Sequence, residues 1–231
     1  MLESVVAHPV RCMSVPSSSA TASLRSPEPE SVQLSQEKPL RLGVMASGSG
    51  SNFEAVARAI ADQQLNAQIQ VLIYNNPGAK AAVRADKWNI PAVLIDHRKF
   101  DRRETFDAQV VQALTRHQVD WVVMAGWMRI ATQILLDAFP ERVLNIHPSL
   151  LPSFRGNKAV ESALAAGVKI TGCTVHRVQL EVDNGPILIQ AAVPILPNDT
   201  PDTLHARIQV QEHRILPTAI AIAAADTLHH S

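Results

Sequence analysis

The amino-acid sequence predicts an α/β fold: an open, mostly parallel sheet with helices on both faces and an antiparallel hairpin in its C-terminal part. Three observations carry this expectation. From residue 41 onward, short apolar runs alternate with segments of helical periodicity, as in crossover-connected parallel strands. A glycine-rich turn, Ser47-Gly48-Ser49-Gly50-Ser51-Asn52, joins the first apolar run to the first helical one. Two longer apolar runs, Lys169–Val178 and Ile187–Ile195, are separated only by residues 179–186. That is too few for a crossover helix, so the two strands pair antiparallel.

Each element follows in order. Leu42–Ala46 reads as the first strand, and the helix after the glycine turn is carried by Phe53, Val56, Ala57 and Ile60. Ile69–Tyr74 is a second strand, Ala79–Trp88 a helix and Ala92–Ile95 a third strand. Asp101–His117 is a charged amphipathic helix, Trp121–Ala125 a buried fourth strand, Thr132–Ala138 a short helix and Val143–Ile146 the fifth strand. Gly156–Gly167 reads as a helix before the two long strands. Thr200–Ala225 closes the pattern as a long helix, expected to bend or break near Pro217, which lacks the N–H that a helix interior uses.

Residues 1–39 hold nine Ser and five Pro but no Gly, with no sustained periodicity, and are expected to form a disordered tail. Residues 40–231 are expected to form a single domain. Few early acids give the tail a likeness to an organelle transit peptide, which Glu3, Glu28, Glu30 and Glu37 oppose, so the expected location is cytoplasmic. Lys plus Arg equal Asp plus Glu at 21 each, with 46% apolar and 18% charged residues. That balance suits an ordinary globular domain and argues against a general nucleic-acid or membrane-surface binder. It leaves room for a local cationic pocket and small anionic ligands. Cys12 and Cys173 are the only cysteines and have no metal-ligand or redox spacing.

The glycine turn places backbone amides and a helix N-terminus where they can converge on an anion, in a Rossmann-like arrangement. A dinucleotide is disfavoured, because Phe53 stands where a small residue is required and Asn75 and Asn76 stand where an acid would end the second strand. The Lys-Ser/Thr pair of nucleoside-triphosphate loops is missing as well. A site for one phosphate group remains, beside the alternative of a tight turn without a ligand. At the end of the fifth strand, alternation puts Asn145 and His147 on one face, at the carboxyl edge where open α/β sheets bind ligands. An amide donor and an imidazole suit a developing oxyanion. On spacing alone they equally suit a capping Asn and a structural His, and Asp183, before Asn184-Gly185-Pro186, equally suits a turn.

Leu144-Asn145-Ile146-His147-Pro148-Ser149-Leu150-Leu151-Pro152 resembles the signature of the folate-dependent formyltransferases. The glycine turn, Gly126-Trp127-Met128-Arg129-Ile130, Gly172-Cys173-Thr174-Val175-His176, Asp183-Asn184-Gly185-Pro186 and Gln209-Val210-Gln211-Glu212-His213 match in order and at matching intervals. The likeness covers residues 41–225. Ala131 departs from it where relatives often carry a larger apolar residue, as do Lys158–Val160 where some place histidines.

The resemblance implies the formyltransferase fold and a one-carbon transferase of purine biosynthesis. That reaction moves the formyl group of 10-formyltetrahydrofolate, a co-substrate, to the amine of glycinamide ribonucleotide. It further implies that Asn145, His147 and Asp183 are catalytic, with Asp183 keeping His147 charged. Gly50, Ser51 and Asn52 would hold the ribonucleotide phosphate, and Gln209 and Glu212 its sugar end. Arg103, Met128, Arg129, Ile130, Ala131, Asn145 and Val182 would line the folate site, with residues 179–183 lying over the pterin. No metal, nucleic acid or membrane is implied, and the chain would act as a monomer or homodimer. The rivals within the resemblance are the formyltetrahydrofolate hydrolases, which carry an N-terminal regulatory domain that a Ser/Pro tail cannot form, and the methionyl-tRNA formyltransferases. The latter carry a further C-terminal domain, whereas this chain ends 48 residues after Asp183. A catalytically inactive folate- or phosphate-binding module is the rival from another class.

Overall fold

The computed structural model describes residues 24–27 and 38–228. Eight strands form one sheet: β1 Arg25–Ser26, β2 Leu40–Ala46, β3 Ala67–Tyr74, β4 Ala92–Leu94, β5 Trp121–Met124, β6 Val143–His147, β7 Ile170–Arg177 and β8 Ile187–Pro194. Six α-helices accompany them: α1 Ser51–Ala61, α2 Lys80–Lys87, α3 Arg103–Arg116, α4 Gln133–Ala138, α5 Ala159–Ala165 and α6 Pro201–Leu228. The strand order is β1-β8-β7-β6-β5-β2-β3-β4. From β4 to β6 neighbouring strands run parallel, whereas β6–β7, β7–β8 and β8–β1 are antiparallel. The expected mixed sheet and its C-terminal hairpin are therefore present. Chain direction across the sheet reverses at β2/β5, and open α/β sheets bind ligands at the carboxyl ends of the strands at such a point.

Alternation sorts each strand's residues into two cores. Leu42, Val44, Trp121, Val123, Leu144, Ile146, Cys173 and Val175 face α1, α5 and α6, joined there by Phe53, Val160 and Ile208. Met45, Val71, Ile73, Val122, Met124 and Val143 face α3 and α4 through Phe106, Val110, Leu114 and Leu135. This second core includes no residue of β7 or β8. On that half of the sheet Asn145, His147, Thr174 and His176 share the face opposite the first core, where loop residues Ser149, Phe154 and Asp183 take the place of a helix.

Two expectations change. Arg25 and Ser26 are not part of a tail apart from the domain, because they pair with Ala191 and Gln190 of β8, and Leu24 accepts the Ala192 N–H at 3.0 Å. The open edge of β8 offers unpaired backbone groups, and two residues are too short to carry a period. The remainder of the expected tail, 1–23 and 28–37, lies outside the described residues. Secondly, α6 runs on through Pro217 without a break. Ile215, Leu216, Ala219 and Ile220 around it are buried, so packing outweighs the cost of about 3 kcal/mol for an interior proline. Among the described residues no helix is long and apolar enough to cross a membrane.

Candidate active site

The parallel strand β6 delivers Asn145 and His147 to the loop-covered face. Its antiparallel neighbour sets His176 opposite Asn145. Asp183 arrives from the loop after β7, which leaves the sheet at Val178, whose N–H bonds the Val143 carbonyl at 2.8 Å, and folds back over the face. The structure thus brings together Asn145 and His147 with Asp183, which lies 38 positions after Asn145: His147 Nδ1 stands 3.3 Å from Asp183 Oδ2, and Asn145 Nδ2 donates to Asp183 Oδ1 at 3.5 Å. His147 is 5% exposed, and its Nε2 donates to the Phe154 carbonyl at 2.9 Å. Both ring nitrogens therefore face oxygen acceptors, an arrangement that an imidazolium satisfies in full and a neutral ring only by half.

Asp183 also accepts the Gly156 N–H at 2.8 Å. Burial pushes its carboxyl up, but His176, the Gly156 amide and the charge of His147 together outweigh burial and hold it below the ordinary range. It is a carboxylate at neutral pH. Sequence reasoning assigned no role to His176, which stands 3.7 Å from Asp183 Oδ1 and 3.2 Å from Asn145 Nδ2. Its Nδ1 donates to the Arg177 carbonyl at 2.9 Å, which turns Nε2 toward Asn145 and Asp183. Alternation along β7 placed His176 away from the Cys173 and Val175 core face, but only pairing with β6 reveals what it meets. Cys173 is fully buried, and burial pushes its thiol up, so it serves packing and not chemistry.

At the end of β2 the glycine turn is held from three sides. Asn76 Nδ2 donates to the Ser47 carbonyl at 2.7 Å, the Ala81 N–H to the Gly48 carbonyl at 3.1 Å, and Arg84 Nε to the Ser49 carbonyl at 2.9 Å. With those carbonyls taken, the first-turn N–H groups of α1, which have no intrahelical acceptor, are left for a ligand. Gly50 caps α1 in the left-handed region at φ 72°, and a Cβ there would stand 2.7 Å from the Ala81 Cα. Asn52 Nδ2 donates to Glu212 Oε2 at 2.9 Å, while its own Oδ1 is buried without a partner. Burial raises the Glu212 carboxyl above its ordinary range, against the Asn52 hydrogen bond. Gln209 is half-buried one turn earlier on α6.

The other expected ligand-lining residues lie at the ends of β5 and α3 and in the 179–185 loop. Met128 is 68% exposed, Ile130 and Val182 are exposed, and Arg103 is exposed at the start of α3. Such exposure suits large apolar side chains that a ligand covers. Ala131 is buried in the second core, so it presents backbone and not side chain. The segment is pinned at both ends: Ser47 Oγ accepts the Met128 N–H at 2.8 Å and Asp107 Oδ2 the Thr132 N–H at 2.7 Å. Between them Arg129 lies over the Phe106 ring, which stacks on Trp127. Asp107 carried no signal in the sequence beyond its polarity, and Ser47 none beyond its place in the glycine turn.

Fold and site together define an α/β protein with an Asn/His/Asp cluster at the carboxyl end of β6 and a glycine turn at the carboxyl end of β2. The chain belongs to the formyl transferase family, which matches residues 40–220. It is 38% identical over 180 residues to the phosphoribosylglycinamide formyltransferase of Bacillus subtilis, covering 78% of this chain and 92% of that protein. It is 39% identical over 193 residues to the human trifunctional purine biosynthetic protein adenosine-3, covering 84% of this chain but only 19% of that much longer protein. The crystal structure of glycinamide ribonucleotide transformylase 1 from Symbiobacterium toebii superposes with a TM-score of 0.80 at 42% identity, over 82% of this chain and 90% of that one.

Proposed function

We propose that the chain transfers the formyl group of 10-formyltetrahydrofolate to the amine of glycinamide ribonucleotide. The family takes formyltetrahydrofolate as its co-substrate. The observation that carries the reading is the Asp183 carboxylate seated against His147, with Asn145 alongside, on the loop-covered face of β6. In this reading the ribonucleotide phosphate sits on the amides of Gly50, Ser51 and Asn52, and its sugar end meets Gln209 and Glu212. The folate lies along Met128–Ala131, with Arg103 and Val182 at its margins.

The amine lone pair attacks the formyl carbon, and the carbonyl electrons move to oxygen. Asn145 and protonated His147 donate to that oxyanion. Asp183 accepts from the imidazole Nδ1 and takes part in moving the proton from the attacking nitrogen to folate N10. The adduct then collapses, the carbon–N10 bond breaks, and tetrahydrofolate leaves with that proton. No covalent enzyme intermediate forms. The test mixes purified protein with 10-formyltetrahydrofolate, with and without glycinamide ribonucleotide. Tetrahydrofolate should form only when the amine is present; equal rates without it would make the protein a hydrolase, and no turnover at all a binding module.

A further inference from the structure

Asn145 and His147 stand on a strand, but Asp183 stands on a loop, and something must hold the middle of that loop down. The strap Phe154-Arg155-Gly156 lies where that support is needed. The Phe154 carbonyl accepts His147 Nε2–H at 2.9 Å, and the Gly156 N–H reaches Asp183 Oδ2 at 2.8 Å. Between these two contacts, the Arg155 side chain extends to the same loop, with Nη1 on Glu181 Oε1 at 3.1 Å and Nη2 on Asn184 Oδ1. Asn184 Nδ2 closes the triangle on Glu181 Oε2 at 2.7 Å. Arg155 thus grips residues on both sides of Asp183. Phe154 and Asp183 both hold left-handed backbone, φ 55° and 52°, which a non-glycine residue keeps only when its surroundings enforce it.

We propose that Arg155 is a positioning residue: it latches the 179–185 loop to the strap and so sets the Asp183 carboxylate against His147. The proposal rests on the formyl-transfer reading for its kinetic consequence, though not for its structural one. A guanidinium suits the task because its planar fork spans two acceptors, which an ammonium cannot do in the same geometry. The side chains of Arg155 and Glu181 are 37% and 65% exposed, so the latch acts through geometry and not through large stability.

The test uses the full chain with Arg155→Ala, Arg155→Lys, the pair Glu181→Ala with Asn184→Ala, and all three alanines together. Arg155→Ala should lower kcat about tenfold while both KM values and the melting temperature stay near native, and Arg155→Lys should recover part of the loss. Arg155→Ala should cost little further once Glu181 and Asn184 are already alanine, because the three share one network. Hydrogen exchange at the Gly156 amide, which requires no turnover, should be faster in Arg155→Ala. Native exchange at Gly156, or an equal loss of kcat in both backgrounds, overturns the latch. Faster exchange in a protein that fails to transfer formyl groups leaves the latch standing and overturns the functional reading instead.

Discussion

Replacing Asp183 by Asn tests the proposed chemistry most directly, since it keeps the shape and removes the charge. Oδ2 faces two donors, His147 Nδ1 and the Gly156 N–H, so the amide oxygen of the new side chain will settle there. Its NH2 then falls at the Oδ1 position, against the Asn145 amide that donated to the carboxylate there. The unchanged shape should still let the fold tolerate the substitution. What is lost is a charge-assisted interaction with His147 and the anionic partner of Asn145; charged hydrogen bonds contribute about 1.5–3 kcal/mol. With two contacts affected the upper value applies, and about 3 kcal/mol corresponds to roughly 150-fold in kcat. The carboxyl of Asp183 lies below its ordinary value, so its partners stabilise the fold above about pH 4 and cease to do so as pH falls through the lowered value. The variant should melt slightly lower than native at pH 7 and alike in strong acid. Steady-state kinetics with both substrates, and calorimetric binding of glycinamide ribonucleotide, read the outcome. Turnover within a few-fold of native, or a loss confined to KM, would refute the role given to Asp183.

Gly50→Val should strain the left-handed cap and collide with Ala81, costing roughly 2–4 kcal/mol, and should raise KM for glycinamide ribonucleotide far more than for folate; equal rises would indicate general misfolding. Glu212→Gln should alter the pH dependence of stability. Burial raises the native carboxyl, so the native protein loses stability as pH rises from the ordinary value of about 4.3 through the raised one, and the variant should lack that decline in urea titrations. A variant with the same decline would reassign the slope to another group. Deleting residues 1–38 should leave kcat within about twofold but lower the melting temperature by a few degrees, because the β8 edge loses its two-residue partner strand and its hydrogen bonds at about 1 kcal/mol each; a tenfold fall in kcat would tie the segment to the site.

Most of the architecture was legible because it is local. Apolar runs reported β3, β5 and β6 to within a few residues, and the short connection 179–186 forced the β7–β8 hairpin. Helix α5 proved shorter than the expected 156–167, since Gly156 and Gly167 both take positive φ and bound it from outside. At Pro217 the helix is not broken, because intrinsic propensity yields to a buried helix face. The strand at Arg25–Ser26 had no signal at all, being defined by its partner alone.

The amino-acid sequence by itself determined the parallel core, the glycine turn at a helix N-terminus and the shared face of Asn145 and His147. Each follows from a period of two or 3.6 residues, or from the steric freedom of glycine. Only the tertiary structure decided that Asp183 reaches that face, that His176 stands beside both Asn145 and Asp183, and that Arg155 joins two loops next to them. Apart from His176 with Asp183, those contacts join residues 26 to 38 positions apart in the chain. Backbone periodicity carries no record of such pairings, because they arise from strand order and from the path of a loop whose own residues repeat nothing.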